Sequence, residues 1–422
     1  MRALANAPRS FSKWSTHVYA AERKISTTSG DVVIAGLART PIGRFGGAMS
    51  ALSGPKLGAI ALREAVARSG VEPGVIEEVF MGNVVSAGVG QAPAKQAAIY
   101  AGLPESVPCT TVNKVCASGM KAVMLAAQSI SLGHRQVMAA GGFESMSNTP
   151  YYLPKARTGL RLGHGSVLDG IIHDGLWDVY NDHHMGICAE KCSEKYGIGR
   201  EAQDAHAAES YKRAASAWEE GKFRDETVAV EVASRKGPAT IIDRDEEYTN
   251  VDLENLSALR PAFQREGGTV TPANSSSIND GAAALVLMSS ASAKELGAKP
   301  LARIMGYADA ARAPVEFTVA PSDAVPLALE RAGVSMHDVD FHEINEAFSV
   351  VALANMQILG LDPAKVNVNG GAVALGHPIG SSGARIMCSL YNVLKQNDGA
   401  IGCASICNGG GGASAIVIER LS

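Results

Sequence analysis

The first chemistry in this chain is a cysteine set where a strand gives way to a helix. Residues 112–121 read V-N-K-V-C-A-S-G-M-K, with Cys116 near the middle. Residues 110–113 have the look of a short strand. Beyond Ser118 the apolar positions Met120, Val123, Met124 and Ala127 recur at helical spacing, and Gly133 supplies a stop. The free amides and positive dipole end of that helix point at Cys116. A thiol so placed is expected to be biased toward thiolate, the form that attacks carbonyl carbon. A lone cysteine is more often buried and inert, so the reading depends on partners elsewhere.

Four stretches in the later part of the chain offer them. Asn345-Glu346-Ala347-Phe348 and Gly376-His377-Pro378-Ile379-Gly380 each follow a strand pattern and open a helical one. Cys407-Asn408-Gly409-Gly410-Gly411-Gly412 joins the last two strand patterns as a hairpin, and residues 271–281 form a serine-rich loop. Taken singly each is weak: a glycine-flanked histidine is more often a turn residue than a base, and Cys407 alone reads as structural. Two rival chemistries fail on spacing. A dinucleotide site needs a helix after the glycines and an acid about twenty residues on, whereas a strand and then the last residue follow Gly412. Neither Cys188 with Cys192 nor Cys403 with Cys407 has the C-x-x-C spacing of a structural zinc site.

The elements that must position these residues fall into two similar runs. The first has a buried strand from Val32, a helix over 56–69, a strand over 78–84 and a helix over 92–102. The strand before Cys116, the helix after it and a strand over 136–141 complete it. The second has a strand over 301–307, a helix over 323–333, a strand over 339–344 and a helix over 346–360. A strand over 366–369, a helix over 378–395 and strands over 400–407 and 413–420 follow. Each run has one phrase at the start of its third helix: Ser118-Gly119-Met120-Lys121 and Ser382-Gly383-Ala384-Arg385. Strands alternating with helices imply an α/β protein with mostly parallel sheets. A duplicated unit implies a pseudo-twofold axis, with helix N-termini of both halves at one cleft. Residues 145–268 break the pattern and read as a large insertion over that cleft, where substrate binding is expected.

At 422 residues the chain is long enough for more than one core. A net charge of −4 gives no reason to expect nucleic acid, and no apolar run is long enough for a bilayer. Seven cysteines without regular spacing suggest reduced thiols. Residues 1–30 hold Arg2, Arg9, Lys13, Arg23 and Lys24 among serines and threonines, with Glu22 the one acid, which is the pattern of a mitochondrial transit peptide.

V-C-A-S-G-M-K, N-E-A-F, G-H-P-I-G and C-N-G-G-G-G resemble the four motifs of the thiolase family, in that family's order, and the resemblance covers about 31–422. It is closest to the biosynthetic, acetoacetyl-CoA type, as the tripeptide His184-Met185-Gly186 also suggests. The resemblance implies duplicated βαβαβαββ halves in a layered α/β/α/β/α arrangement. It divides the chain into a leader (1–30), an N-terminal half with the insertion (31–295) and a C-terminal half (296–422). It implies reversible condensation of two acetyl-CoA to acetoacetyl-CoA and coenzyme A. Cys116 would carry the acyl group, His377 would take its proton, and Cys407 would move the proton on carbon. His377 with an Asn345-held water would form one oxyanion hole, and the amides of Cys116 and Gly409 the other. Leu176, His184, Met185, Tyr211, Asn255 and Ser276 fall where the family meets coenzyme A, which is substrate and product and not a tightly bound cofactor. Tyr211, Pro272, Ala273, Ser275 and Val373 match the positions that supply carbonyls to potassium in acetoacetyl-CoA-type relatives. Phe317-Thr318 stands where those relatives have Phe-Pro, beside the space for a 2-methyl group. The resemblance further implies a homotetramer, with part of 149–165 as a contact loop. Two alternatives stay open: a 3-ketoacyl-CoA thiolase for longer chains, and a catalytically dead binding or scaffold member of the fold.

Overall fold

Strand β1, Val32–Arg39, is buried along its whole length, which an unbroken apolar run demands of a strand covered on both faces. It lies at the centre of the molecule. The computed structural model describes residues 30–234 and 237–422. The leader expected over 1–30 lies, Gly30 apart, outside the described residues.

The path of the main sheet continues through β2 (Glu78–Gly82), β3 (Cys109–Val112), β4 (Val137–Ser145), β5 (Asn279–Ser289), β6 (Ala302–Ala311), β7 (Phe341–Ile344), β8 (Ile401–Asn408) and β9 (Gly412–Arg420), and a two-residue strand, Gly43–Arg44, pairs with the start of β5 off that path. Their order is β7-β8-β9-β6-β1-β5-β4-β2-β3. Read outward from the β1–β6 junction, the two halves mirror each other. That junction is thin, with two residue pairs, Val33 with Arg303 and Ile34 with Ala302. The halves share even their irregularities, since register shifts between Ile34 and Gly36 in β1 and between Ile304 and Gly306 in β6.

Helices cover both faces: α1 (Gly54–Ser69) and α2 (Pro93–Ala101) outside the first half, α3 (Ser118–Ser131) and, in the insertion, α4 (Met185–Tyr196) and α5 (Arg200–Glu219). The second half adds α6 (Pro321–Ala332) and α7 (Ser349–Leu359) outside, and α8 (Ile379–Gln396). The middle layer is α3 packed on α8, which touches strands of both halves. They cross where the repeated phrase puts its glycines. A Cβ on Gly119 would lie 2.9 Å from the Ala384 amide nitrogen, and one on Gly383 2.5 Å from that of Met120. Only hydrogen fits there, so the phrase S-G is what lets the two buried helices touch.

Three expectations need correction. The sheet is not mostly parallel: β1 pairs antiparallel with both neighbours, as β5 does with β1 and β4, and β9 with β6 and β8. Parallel pairing is confined to the outer strands. The loop read over 271–281 ends earlier, because β5 starts at Asn279. The strand expected over 366–369 is one bridge, Val366 to His342. Asn367 turns to φ 47°, and its side chain does the work of a strand. Its Oδ1 accepts from the Ile344 amide at 2.8 Å and its Nδ2 donates to the Ile344 carbonyl at 2.9 Å.

Candidate active site

The chain leaving β3 turns sharply before α3. Val115 stands at the apex with φ 47°, a left-handed conformation that costs a β-branched residue energy. Local bonds hold it. Asn113 Oδ1 accepts the Val115 amide at 2.9 Å. Ser118 Oγ accepts the Lys114 amide at 2.8 Å and donates to the Val115 carbonyl at 2.6 Å. Cys116 follows at once, 8% exposed, on the wall of a cavity of about 380 Å³. The backbone amides of Gly409 and of Cys116 itself favour the charged form of the sulfur.

The thiolate bias expected of Cys116 is not found. Burial pushes its thiol up to about 11, and the two amides recover only part of that. The helix itself begins at Ser118, and the sulfur has little water to stabilise its charge. Cys116 therefore rests as a neutral thiol and needs a base.

That base faces the same cavity. His377 precedes α8, and burial pushes its imidazole down to about 3, so it is neutral at ordinary pH. Its Nδ1 lies 2.6 Å from Ser382 Oγ, and that hydroxyl donates to the Pro378 carbonyl at 3.0 Å. A hydroxyl has one proton to give, so Ser382 accepts from Nδ1–H. The Nε2 lone pair then faces Asn345 Nδ2 at 3.4 Å. Both neighbours select the same tautomer. Asn345 Oδ1 is buried without a protein partner, which suits a site for ordered water. The His377 backbone amide is fixed by Asn279 Oδ1 at 2.8 Å.

Cys407 lies near the end of β8, paired with Ala413 of β9. It is fully buried, and its thiol is pushed well above the ordinary range by burial, by Cys116 and by Cys192. The glycines after Gly409 have a local cause. Gly410 and Gly411 adopt φ 82° and 89°, and a Cβ on Gly411 would lie 2.2 Å from the Arg312 carbonyl oxygen. At Gly409 a Cβ would meet nothing closer than 3.5 Å, so turn geometry requires the later glycines and not Gly409.

Of the six residues expected near coenzyme A, Leu176, His184, Met185 and Ser276 line the cavity. His184 accepts the Gly186 amide on Nδ1 and stacks on Phe263 at 4.7 Å. Tyr211 and Asn255 do not line it. Tyr211 is buried in α5 among Ala207, Ala214, Trp218 and Val373. Asn255 sits in a short 3-10 turn with its amide on Asp252 at 2.6 Å. The five potassium positions divide likewise: Tyr211 and Val373 share one apolar cluster, while Pro272 and Ser275 line the cavity and Ala273 lies between them. Thr318 is not on the cavity wall. It borders a separate hollow with Cys192 and Tyr196, so only Phe317 of that pair faces the substrate space.

Spacing in sequence did not reveal three supporting residues. Ser382 was visible only as part of a repeat. Asn279 was hidden in the loop read over 271–281. Glu346 was one letter of a motif, yet it is a buried hub accepting from His206, Ser210, Asn367 and the Val373 amide. Asp178, His183 and Cys188 also converge within 4.8 Å of one another. Asp178, however, already accepts from Tyr180, Asn181 and the Asn181 amide group, and Lys191 sets an ammonium 3.4 Å from the imidazole. The cluster is satisfied as a turn and is a poor cation site.

Two spans of the chain match family models: residues 32–291 the thiolase N-terminal domain, and residues 298–420 the thiolase C-terminal domain. This chain belongs to the thiolase family. It is 56% identical over 393 residues to acetyl-CoA acetyltransferase 1 of Arabidopsis thaliana, covering 93% of this chain and 95% of that one. It is 54% identical over 394 residues to a mitochondrial acetyl-CoA acetyltransferase of Xenopus tropicalis, covering 93% of each. Relatives named as cytosolic occur as well. Among solved structures, the Acat5 thiolase from Ascaris suum in complex with coenzyme A matches with a TM-score of 0.88 at 46% identity, over 93% of this chain and 100% of that one. The duplicated, layered α/β architecture is thus the thiolase fold.

Proposed function

We infer that this thiolase works as an acetyl-CoA C-acetyltransferase, joining two acetyl-CoA into acetoacetyl-CoA and coenzyme A, and reversing the reaction. The observation that carries the reading is one cavity lined by both a neutral thiol, Cys116, and a neutral imidazole whose Nε2 carries the lone pair, His377.

In the first step Cys116 attacks the thioester carbonyl of acetyl-CoA while its proton passes to His377 Nε2. The amides of Cys116 and Gly409 that favour charge on the sulfur lie beside the carbon it attacks, where oxyanion charge develops. The adduct collapses, the imidazolium returns the proton, and coenzyme A leaves as the thiol. A second acetyl-CoA then enters. Cys407 first passes its own proton to His377 and, as the thiolate, takes a proton from the methyl group as the new carbon–carbon bond forms to the acyl carbon, while the protonated His377 and the Asn345-held water meet the enolate oxygen. Cys116 departs from the second adduct as the thiol, the proton coming from His377, and Cys407 is left as the thiol it was at the start.

The cavity favours a small acyl group, since Phe263, Phe317 and Phe348 close it together with Leu176, Met185 and Ile379. Longer 3-ketoacyl chains would have to displace those rings. Coenzyme A is substrate and product here, with Ser276, His184, Leu176 and Met185 along its entry. Potassium would be held by carbonyls around Pro272, Ala273, Ser275 and Val373 beside Tyr211, and it would supply a fixed charge ordering that loop. The chain divides near residue 295 into two halves, with the insertion 145–268 in the first. A homotetramer is supported by apolar side chains left in the open at Tyr151, Leu153, Leu160, Leu162 and Val167. Import into mitochondria is supported by the basic, acid-poor start. No helix among the described residues is long and apolar enough to cross a membrane.

The test is thiolysis of acetoacetyl-CoA by coenzyme A, followed by loss of the enolate absorbance, with and without potassium and against a chain-length series. Brisk cleavage falling steeply beyond four carbons is expected. A maximum at longer chains would make it a 3-ketoacyl-CoA thiolase, and no turnover would make it a binding member of the fold. Because Thr318 faces away from the cavity, 2-methylacetoacetyl-CoA should be cleaved within a few-fold of the unbranched substrate, about 1 kcal/mol.

A further inference from the structure

Lys114 stands two residues before Cys116, and its ammonium crosses to the other half of the molecule. Its three donors meet three acceptors: Asp309 Oδ1 at 2.5 Å, the Ala413 carbonyl at 3.0 Å and Ser414 Oγ at 2.7 Å. Ala413 is the ladder partner of Cys407 in β9, and Ser414 is the partner of Asp309 in β6. Ser414 also donates to Asp309 at 2.6 Å. One side chain thus ties the turn that carries Cys116 to the hairpin that carries Cys407. The turn needs such a tie, because Val115 between Lys114 and Cys116 is held in a left-handed conformation.

We propose that Lys114 is a positioning residue that sets the spacing between the Cys116 and Cys407 thiols. The inference rests on the roles given to the two cysteines above. Acyl transfer to Cys116 needs only that thiol, its two amides and His377. Carbon–carbon bond formation also needs Cys407 at the right distance from the acyl group. Loosening the tie should therefore hurt the second reaction more than the first. An ammonium suits the place because three acceptors converge on one point, and a planar guanidinium would splay across them.

Lys121 supplies a built-in comparison. It bonds the other oxygen of the same carboxylate, Asp309 Oδ2 at 2.6 Å, but it stands in α3 beyond the turn. Lys114→Met and Lys121→Met each remove one ammonium from Asp309, and only the first frees the turn.

The experiment measures condensation, acetyl exchange between acetyl-CoA and labelled coenzyme A, and the rate at which dibromobimane bridges Cys116 to Cys407, mapped by peptide mass. In Lys114→Met, condensation should fall on the order of tenfold or more while exchange falls less than about threefold, since small misplacements act steeply on bond formation. Bridging should slow as well, and Lys114→Arg should recover part of both losses. Lys121→Met should keep the ratio of the two reactions and the bridging rate of the unsubstituted protein, even if its melting temperature drops. An unchanged ratio and bridging rate in Lys114→Met would overturn the proposal, as would an equal shift in Lys121→Met. Should the unsubstituted protein perform neither reaction, the acetyltransferase reading falls, while the bridging rates still decide whether Lys114 spaces the two thiols.

Discussion

Ser118 and Ser382 occupy equivalent places in the two halves, each followed by the glycine at which α3 and α8 cross. Both hydroxyls donate back to a carbonyl of the preceding turn, Val115 in one half and Pro378 in the other. They differ in what they accept. Ser118 takes the backbone amide of Lys114 and so stiffens the turn that presents Cys116. Ser382 takes the imidazole of His377 and so selects which nitrogen is basic. Lys121 and Arg385, three positions on, diverge further. Lys121 reaches a part-exposed carboxylate, whereas Arg385 is buried 3.9 Å from Glu343 with no protein hydrogen bond. A duplicated scaffold has kept its crossing geometry and divided its chemistry, with the nucleophile on one side and the proton handling on the other.

The sharpest way to break that division is at the two cysteines. Cys116→Ser should abolish exchange and condensation together, on the order of 10³-fold or more, because no acyl-enzyme forms. Cys407→Ala should lower condensation by about 10²–10⁴-fold, the usual weight of a general acid–base group, and leave acetyl exchange largely intact. Equal loss of both reactions in Cys407→Ala would mean that the halves do not divide the work in this way.

The next effect is on the scaffold and should be the same in both halves. Gly119→Val and Gly383→Val each drive a side chain into the backbone of the opposing helix, where neither helix can retreat. Each should cost on the order of 3 kcal/mol, read as a lower denaturant midpoint with an unchanged slope. A large loss at one glycine alone would show that the crossing is less symmetric than its geometry.

Ser118→Ala and Ser382→Ala then separate the two uses of the same hydroxyl. Ser382→Ala frees the imidazole to adopt either tautomer, so turnover should drop about tenfold in exchange and in condensation alike, with KM little changed. Ser118→Ala removes two bonds from the Cys116 turn and should cost about 1 kcal/mol of stability, with a smaller effect on turnover. Steady-state rates and thermal melts of the pair decide it.

This comparison shows what a sequence exposes and what it hides. The repeated phrase, the strand–helix alternation and the four motifs were legible because each depends on local periodicity or on residue types adjacent in the chain. The antiparallel centre of the sheet was not. β5, N-D-G-A-A-A-L-V-L-M-S, is rich in alanine and buried on both faces, so it lacks the alternation that marks a strand. The missing strand over 366–369 was hidden by a substitution of kind, a side-chain amide standing in for ladder bonds. Tyr211 and Asn255 were placed near coenzyme A by resemblance, and nothing local in α5 or in the 3-10 turn shows which way either side chain faces. The state of Cys116 was misread because dipole and amides are visible from the pattern, whereas the cavity wall it shares with Gly409, Met185 and Phe348 is assembled from distant segments.

The smallest effect concerns that state, and it compares the two thiols directly. Burial pushes Cys116 up to about 11 and holds Cys407 well above its ordinary range. A group whose acidic form is favoured this strongly in the fold gains thiolate only as pH rises toward its folded value. Iodoacetamide should therefore label Cys116 slowly at pH 7, with a rate that climbs through pH 9 and 10 without a plateau near neutrality. Cys407, fully buried where Cys116 is 8% exposed, should lag behind it at every pH. Acetyl-CoA should protect both, because the acyl group occupies one sulfur and covers the other. The measurement is peptide mapping of label against pH in the unsubstituted protein. A plateau for Cys116 below pH 8 would mean that the helix end and its amides outweigh burial after all. The nucleophile would then stand ready before substrate arrives, and His377 would matter for the protons of the second half-reaction and not of the first.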